Sequence, residues 1–264
     1  MELLKTHLWM VDLIYQAGEK IKQEMQQVMK VEEKSSFRDL VTNVDKGIED
    51  FFIENIKKEF PTHRIMGEES KNNRFQDVDG YVWIIDPIDG TMNFIKQQDN
   101  FGILIALFLD GQGILGYIYD VMQNKLAYAV RGNGAYLNGK RLPKAKDIGI
   151  KETLMNIGDC VMRSDIPESR KLLTEALAFR SVGSAALAEL AVFEGKICAY
   201  LNYRLNPWDY APAFIFAEEL GYHCQTVAGQ RLGLLGQTDS IIGTEKAVKE
   251  IQEILKGAVL EKLI

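Results

Sequence analysis

Cysteine and histidine are scarce in this chain of 264 residues, three of each. Cys160, Cys198 and Cys224 are odd in number, widely separated and in no Cys-x-x-Cys pairing, which excludes a disulfide framework and a thiolate zinc site. His7, His63 and His223 form no pair at metal-ligand spacing. Cysteine- and histidine-based phosphatase chemistries are therefore not expected, and three reduced, buried thiols fit a cytoplasmic protein. Long apolar runs are lacking too. Between Met1 and Met29 the apolar residues are interrupted by Glu2, Lys5, Asp12, Glu19, Lys20 and Lys22, so neither a signal peptide nor a membrane span is expected. Positive charge is in deficit, 31 Lys and Arg against 37 Asp and Glu, for a formal net charge of −6. That balance argues against nucleic-acid polymers and anionic membranes as partners. An acidic protein that handles phosphate needs a metal to mediate.

Against this background the patterned stretches stand out. Leu3, Leu4, Leu8, Val11 and Tyr15 recur at helical spacing and predict a helix from about Leu3 to Val28. A polar, turn-prone stretch from Ser35 to Asp45 follows, then Ile48, Phe51, Phe52 and Ile56 predict a second helix ending at Pro61. Arg64-Ile65-Met66 reads as a short strand, followed by Gly67-Glu68-Glu69-Ser70, a polar loop from Lys71 to Gly80, and the strand Tyr81–Ile85. Phe101–Leu109, Ile114–Asp120 and Lys125–Val130 predict an antiparallel meander. Within it Gly111-Gln-Gly-Ile-Leu-Gly116 matches a dinucleotide-binding fingerprint, but it joins strand to strand rather than strand to helix. Gly134 to Arg141 comes close to a phosphate-binding P-loop, yet Arg141 replaces the hydroxyl residue and Asn138-Gly139 predicts a hairpin turn. From about Pro143 strands and helices alternate, which puts a change of topology rather than a hinge near residue 145. The expected parts are residues 1–145, carrying most of the candidate metal ligands, and residues 146–264, carrying Asp209 and the substrate pocket.

The candidate chemistry centres on Trp83-Ile-Ile-Asp86-Pro87-Ile88-Asp89-Gly90-Thr91-Met-Asn93-Phe94. Pro87 cannot donate to a sheet ladder, so the strand is expected to end at Asp86. A turn from Asp86 to Asp89 brings two carboxylates within about 7 Å, as an ordinary Asp-Gly turn also does. Carboxylates that close share either a proton or a hard cation such as Mg²⁺, Mn²⁺ or Ca²⁺. Adjacent strands would bring Glu68 beside Asp86 as a third oxygen ligand. Asp45 reads as a helix N-cap, Asp209 as an acidic first-turn residue after Pro207 and Trp208, and Gly183, Ser184, Ala185 and Ala186 as small residues opening a helix, where close packing and bare N–H groups explain them equally well.

Taken in order, Gly67-Glu68-Glu69-Ser70, Trp83 to Thr91 with Asn93-Phe94, and Trp208-Asp209-Tyr-Ala resemble the signature blocks of the inositol monophosphatase family. The resemblance spans nearly the whole chain. It implies an α/β fold, a layered αβαβα sandwich of the inositol monophosphatase/fructose bisphosphatase type, with an antiparallel, helix-covered first half. It implies Mg²⁺-dependent hydrolysis of a small-molecule phosphate monoester, with Mn²⁺ as an alternative ion, Ca²⁺ and Li⁺ as inhibitors, and a homodimer. By resemblance one ion is held by Glu68, Asp86 and the Ile88 carbonyl, and a second by Asp86, Asp89 and Asp209. A third, weaker ion sits near Glu68 through waters. Thr91 and Asp45, with Glu68, are the implied catalytic residues, the first two orienting the attacking water. Asp89, Gly90, Thr91, Gly183, Ser184, Ala185, Asn202, Arg204 and Asp209 are the implied substrate contacts. Two cations about 3.5–4 Å apart suit a dianionic ester that resists attack by water. Asn202 stands where many inositol-preferring relatives carry a glutamate, so NADP 2′-phosphate, a sugar bisphosphate and a phosphonucleotide are alternative substrates, with Arg204 reaching an extra phosphate. The Asp-x-Asp-Gly-Thr loop of haloacid-dehalogenase phosphatases separates its acids by one residue, against two here. A non-catalytic metal- or phosphate-binding regulator is the rival of a different class, and the presence of both Thr91 and Asp45 favours an enzyme.

Overall fold

The computed structural model describes residues 3–28, 30–36, 39–70 and 75–258. Residues 37 and 38 of the turn-prone stretch and 71–74 of the polar loop lie outside the described residues. In chain order the elements are α1 (Leu3–Glu24), β1 (Val31–Ser36), β2 (Asp39–Thr42), α2 (Asn43–Glu59), β3 (Arg64–Gly67), β4 (Tyr81–Asp89), α3 (Thr91–Gln97), β5 (Gly102–Leu109), β6 (Gln112–Asp120), β7 (Lys125–Val130), β8 (Gly134–Leu137) and β9 (Lys140–Arg141). There follow β10 (Leu154–Ile157), α4 (Asp159–Met162), α5 (Pro167–Glu175), β11 (Ala178–Arg180), α6 (Ala185–Phe193), β12 (Ala199–Leu205), α7 (Pro207–Leu220), β13 (His223–Gln225), β14 (Thr238–Gly243) and α8 (Glu245–Ile254).

β3 to β9 form one sheet in sequence order, and β11-β10-β12-β14-β13 form a second. The polar stretch after α1 is a two-stranded hairpin, β1 with β2, where a turn-prone coil was expected. Val31, Glu32, Glu33 and Lys34 are all exposed, so over these residues β1 has no buried face for alternation to mark. The dinucleotide-like glycines join β5 to β6, and Asn138-Gly139, both at positive φ, close the β8–β9 hairpin.

Alternation along β4 decides the layering. Trp83 and Ile85 face α1 and α2, packing with Met10, Ile14, Ile48 and Phe52. Val82 and Ile84 face the other way and pack with Ala186, Leu190, Ala213 and Phe216 from α6 and α7. Beyond those helices lies the second sheet, whose far face carries Met155, Ile157, Leu201 and Ile241 against Leu172, Val248 and Ile251 of α5 and α8. The order is helix, sheet, helix, sheet, helix. α7 is apolar nearly all round because it lies between two sheets. Each wholly buried large side chain, Trp83 or Phe216 for example, contributes about 1.5–3 kcal/mol from burial. Because α6 and α7 come from the second half of the chain and cover the first sheet, the two halves share one core, and the N-termini of both helices point at the end of β4.

Candidate active site and metal centre

In a regular strand, residues three apart face opposite sides. Asp86 and Asp89 do not, because β4 continues through Pro87 to Asp89 instead of ending at Asp86. Asp86 lies opposite Leu104 and Asp89 opposite Gly102, so three steps on β4 match two on β5. The extra residue is a bulge. Pro87, which supplies no N–H, sits where the ladder is interrupted. The bulge turns both carboxylates to the α6–α7 side. Asp86 Oδ1 accepts from Ile88 N at 3.1 Å. Asp89 accepts from Ala186 N at 2.7 Å, from Ala185 N at 3.1 Å and from the Ser184 hydroxyl. The bare N–H groups expected at that helix start are thus engaged by Asp89.

Asp209 is the third residue of α7 and accepts from Asn206 N at 2.7 Å, as a first-turn acid should. One carboxylate oxygen each from Asp86, Asp89 and Asp209 lie within 4.8 Å of one another. β3 runs parallel to β4 with Gly67 opposite Ile85, and Glu68 N donates to Ile85 O at 3.2 Å. This brings Glu68 beside Asp86.

Burial raises all three aspartates. Asp86 stands well above the usual carboxylate range, through burial first and then the charges of Glu68, Asp89 and Asp209. Asp209 is raised by burial and by Glu68 and Asp89. Asp89 is pushed up to about 6 by burial, in spite of its three hydrogen bonds. Converging buried carboxylates with oxygen donors only are the donor set of a hard divalent cation, so the residues fit Mg²⁺, Mn²⁺ or Ca²⁺. On the Glu68 side, Lys34 of β1 adds a cation that the sequence did not signal. Its Nζ lies 2.8 Å from Glu68 Oε1 and 2.5 Å from Glu69 Oε1.

Thr91 opens α3 directly after Gly90, whose φ of +91° suits glycine. The Thr91 hydroxyl lies 3.1 Å from Asp45 Oδ1 and 3.1 Å from the Ile88 carbonyl oxygen. The N-cap of α2 is Thr42 rather than Asp45. Asp45 is the N3 partner of a capping box, and its Oδ2 accepts from Thr42 N and the Thr42 hydroxyl. One oxygen caps the helix while the other meets Thr91. Burial raises the Asp45 carboxyl.

A cavity of about 510 Å³ opens beside the cluster, lined by Asp89, Asn93, Gly183, Ser184, Ala185, Tyr200, Asn202 and Asp209, and at its rim by Asp159 and Arg163. Asn202 is turned inward on itself: Oδ1 accepts from Tyr203 N at 2.9 Å and Nδ2 donates to the Tyr200 hydroxyl at 3.0 Å. Arg204 is not among the lining residues, and its Nε lies 3.3 Å from Gln237 Oε1. Arg163, paired with Asp159 at 2.8 Å, is the cation among the described lining residues. Nothing in the sequence ranked Arg163 above the other arginines.

Of the three cysteines, Cys198 and Cys224 are buried but Cys160 is exposed, against the expectation of three buried thiols. Cys198 also stands five residues before Tyr203 and six before Arg204, the spacing of a cysteine-phosphatase loop. It is wholly buried, and burial pushes its thiol up to about 12, so it supplies no thiolate.

Residues 5–261 match the model of the Inositol monophosphatase family. The chain is 41% identical over 248 residues to an inositol-1-monophosphatase of Bacillus subtilis (strain 168), covering 91% of this chain and 92% of that protein. A solved IMPase/NADP phosphatase, complexed with NADP and Ca²⁺ at pH 7.0, superposes with a TM-score of 0.92 at 30% identity over 97% of both chains. A Staphylococcal inositol monophosphatase-1 in a LiCl-soaked inhibitory complex superposes with a TM-score of 0.90 at 30% identity, over 97% of this chain and 96% of that one.

Proposed function

The chain belongs to the inositol monophosphatase family of phosphate monoester hydrolases, and from that premise we propose that Glu68, Asp86, Asp89, Asp209 and the Ile88 carbonyl hold Mg²⁺ while Thr91 and Asp45 handle the attacking water. The observation that carries this reading is the meeting of carboxylates from β4 and α7 within 4.8 Å, beside a Thr91–Asp45 pair. When bound, the divalent ions neutralise the phosphate dianion, lower the pKa of water and stabilise the leaving alkoxide.

The rest falls to the chain's own groups. Thr91 gives its hydroxyl hydrogen to Asp45 or to Ile88 O, which leaves its oxygen lone pairs for a water proton. Asp45, raised by burial, takes up the proton that the water gives up through the Thr91 hydroxyl more readily than an exposed aspartate does. The capping box locks its orientation. Gly90 and Thr91, at the start of α3, present backbone N–H groups to phosphate oxygens.

The substrate is a small phosphate monoester whose leaving group is not restricted to inositol. Asn202 offers no charged acceptor, and its carboxamide is engaged by Tyr203 and Tyr200. NADP, a sugar bisphosphate and a phosphonucleotide therefore stand beside inositol phosphate. Sensitivity to Li⁺ and assembly as a homodimer follow from the family resemblance, and the unpaired cysteines fit a cytoplasmic location. A phosphate-release assay with Mg²⁺ over inositol 1-phosphate, NADP, fructose 1,6-bisphosphate and 2′-AMP, with and without Li⁺, tests the reading. Release from at least one ester, abolished by EDTA, is expected. Tight Mg²⁺ binding with no release from any of them would refute it.

A further inference from the structure

Glu49 stands on α2 one turn after Asp45, at a position with no motif to mark it. It is 2% exposed. Its Oε2 accepts from Glu69 N at 2.8 Å and its Oε1 from the Ser70 hydroxyl at 2.6 Å. The approach is this close because residue 67 is glycine: a Cβ there would lie 2.5 Å from the Glu49 carboxyl carbon and from Oε2. The turn that carries Glu68 is therefore seated on the Glu49 carboxylate.

Holding α2 on the sheet does not need Glu49, because Val44, Ile48, Phe52 and Ile56 already pack the helix into the core. Residues four apart share a helix face, so one face of α2 presents Asp45 to Thr91 and Glu49 to the 67–70 turn. The helix acts as a spacer between the two ends of the site. We propose that Glu49 is a positioning residue which, through the Glu69 N–H and the Ser70 hydroxyl, holds Glu68 against Asp86 in the geometry that takes a divalent cation. The inference rests on the reading of Glu68 and Asp86 as metal ligands. Partners that orient a ligand from behind are worth about 10–100-fold in metal affinity.

The test is calorimetric titration of the EDTA-stripped protein with Mg²⁺ alone, supported by the rise in Tm that Mg²⁺ causes. Glu49→Ala is expected to weaken Mg²⁺ binding by about 10–100-fold while leaving the far-UV circular dichroism unchanged. Gly67→Ala, which displaces the carboxylate, is expected to do the same. Ser70→Ala removes one of the two bonds and is expected to weaken binding by about 3–10-fold. Glu49→Gln can accept from Glu69 N through its oxygen and donate to the Ser70 hydroxyl through its nitrogen, so it restores affinity to within about threefold of the natural protein. The proposal is overturned if folded Glu49→Ala binds Mg²⁺ within about twofold of the natural protein, or if Glu49→Gln is as weak as Glu49→Ala. Should Glu49→Ala not fold, the proposal is overturned if Ser70→Ala binds Mg²⁺ within about twofold of the natural protein, or if Glu49→Gln is weakened by about tenfold or more. A natural protein that itself bound no Mg²⁺ would overturn the ligand assignment beneath the proposal, a result separate from any variant effect.

Discussion

Stripping the protein of divalent ions and raising the pH places ionised carboxylates side by side in a buried site, and the cost is readable from Asp89. Its carboxyl is pushed from 3.8 up to about 6, mainly by burial. At about 1.36 kcal/mol per pKa unit, a rise of roughly two units amounts to about 3 kcal/mol. The folded-state value lies above the unfolded one, so the contribution is fully present below pH 4 and is lost as pH rises through about 6. Asp86 and Asp209 are raised in the same direction and add to the loss. Bound Mg²⁺ reverses it, because the cation favours the ionised form, and a ligand at 100 times its Kd contributes about 2.7 kcal/mol. For a chain of this size 1 kcal/mol moves Tm by about 2–4 °C. Thermal unfolding followed by circular dichroism at pH 5 and pH 7.5, with EDTA and with Mg²⁺, should therefore show a Mg²⁺-induced rise of about 5–10 °C at pH 7.5 that shrinks at pH 5. A Mg²⁺ effect of equal size at both pH values would refute the picture of a buried carboxylate cluster awaiting a cation.

Asp86→Asn keeps an acceptor for Ile88 N but removes the central charge, so phosphate release should fall by about 10³-fold or more. Far-UV circular dichroism should stay unchanged and the Mg²⁺-induced rise in Tm should vanish. Thr91→Ala should lower kcat by about 10²–10³-fold while the Mg²⁺-induced rise persists, and loss of both together would contradict the division between ion holding and water orientation. Glu189 on α6 is wholly buried, and neither carboxylate oxygen has a hydrogen-bond partner among the described residues. Burial and the charges of Asp89 and Asp209 hold its carboxyl well above the usual range. Replacing it by methionine of similar length should raise stability by about 1–3 kcal/mol in urea unfolding. A loss of stability would show that the carboxyl has a partner.

Patterns that repeat over a short range were legible before folding. Helical spacing marked α1, apolar runs marked β4 to β7, and Asn138-Gly139 marked a hairpin, because each signal is local and each element buries one recognisable face. The hairpin of β1 and β2 was not legible, since Val31 to Lys34 are all exposed and leave no buried face for alternation to mark. The carboxylates themselves were readable as types in an ordered set of motifs, and the family followed from that order.

Which side of the strand they occupy was not readable. Period-two alternation taken alone sends Asp86 and Asp89 to opposite faces, and the bulge that reunites them exists only in the pairing of β4 with β5. Asp209 reaches them because α7 is sandwiched between two sheets with its N-terminus at the end of β4. Glu49 reaches the 67–70 turn only because Gly67 leaves space for its carboxylate, a relation between α2 and β3 that neither segment shows by itself. The amino-acid order alone determined the chemistry on offer, carboxylates and a threonine, because side-chain identity is a local property. Tertiary structure decided which of those groups meet, because a site assembled from β3, β4, α2 and α7 depends on register and layer order, which no single segment contains.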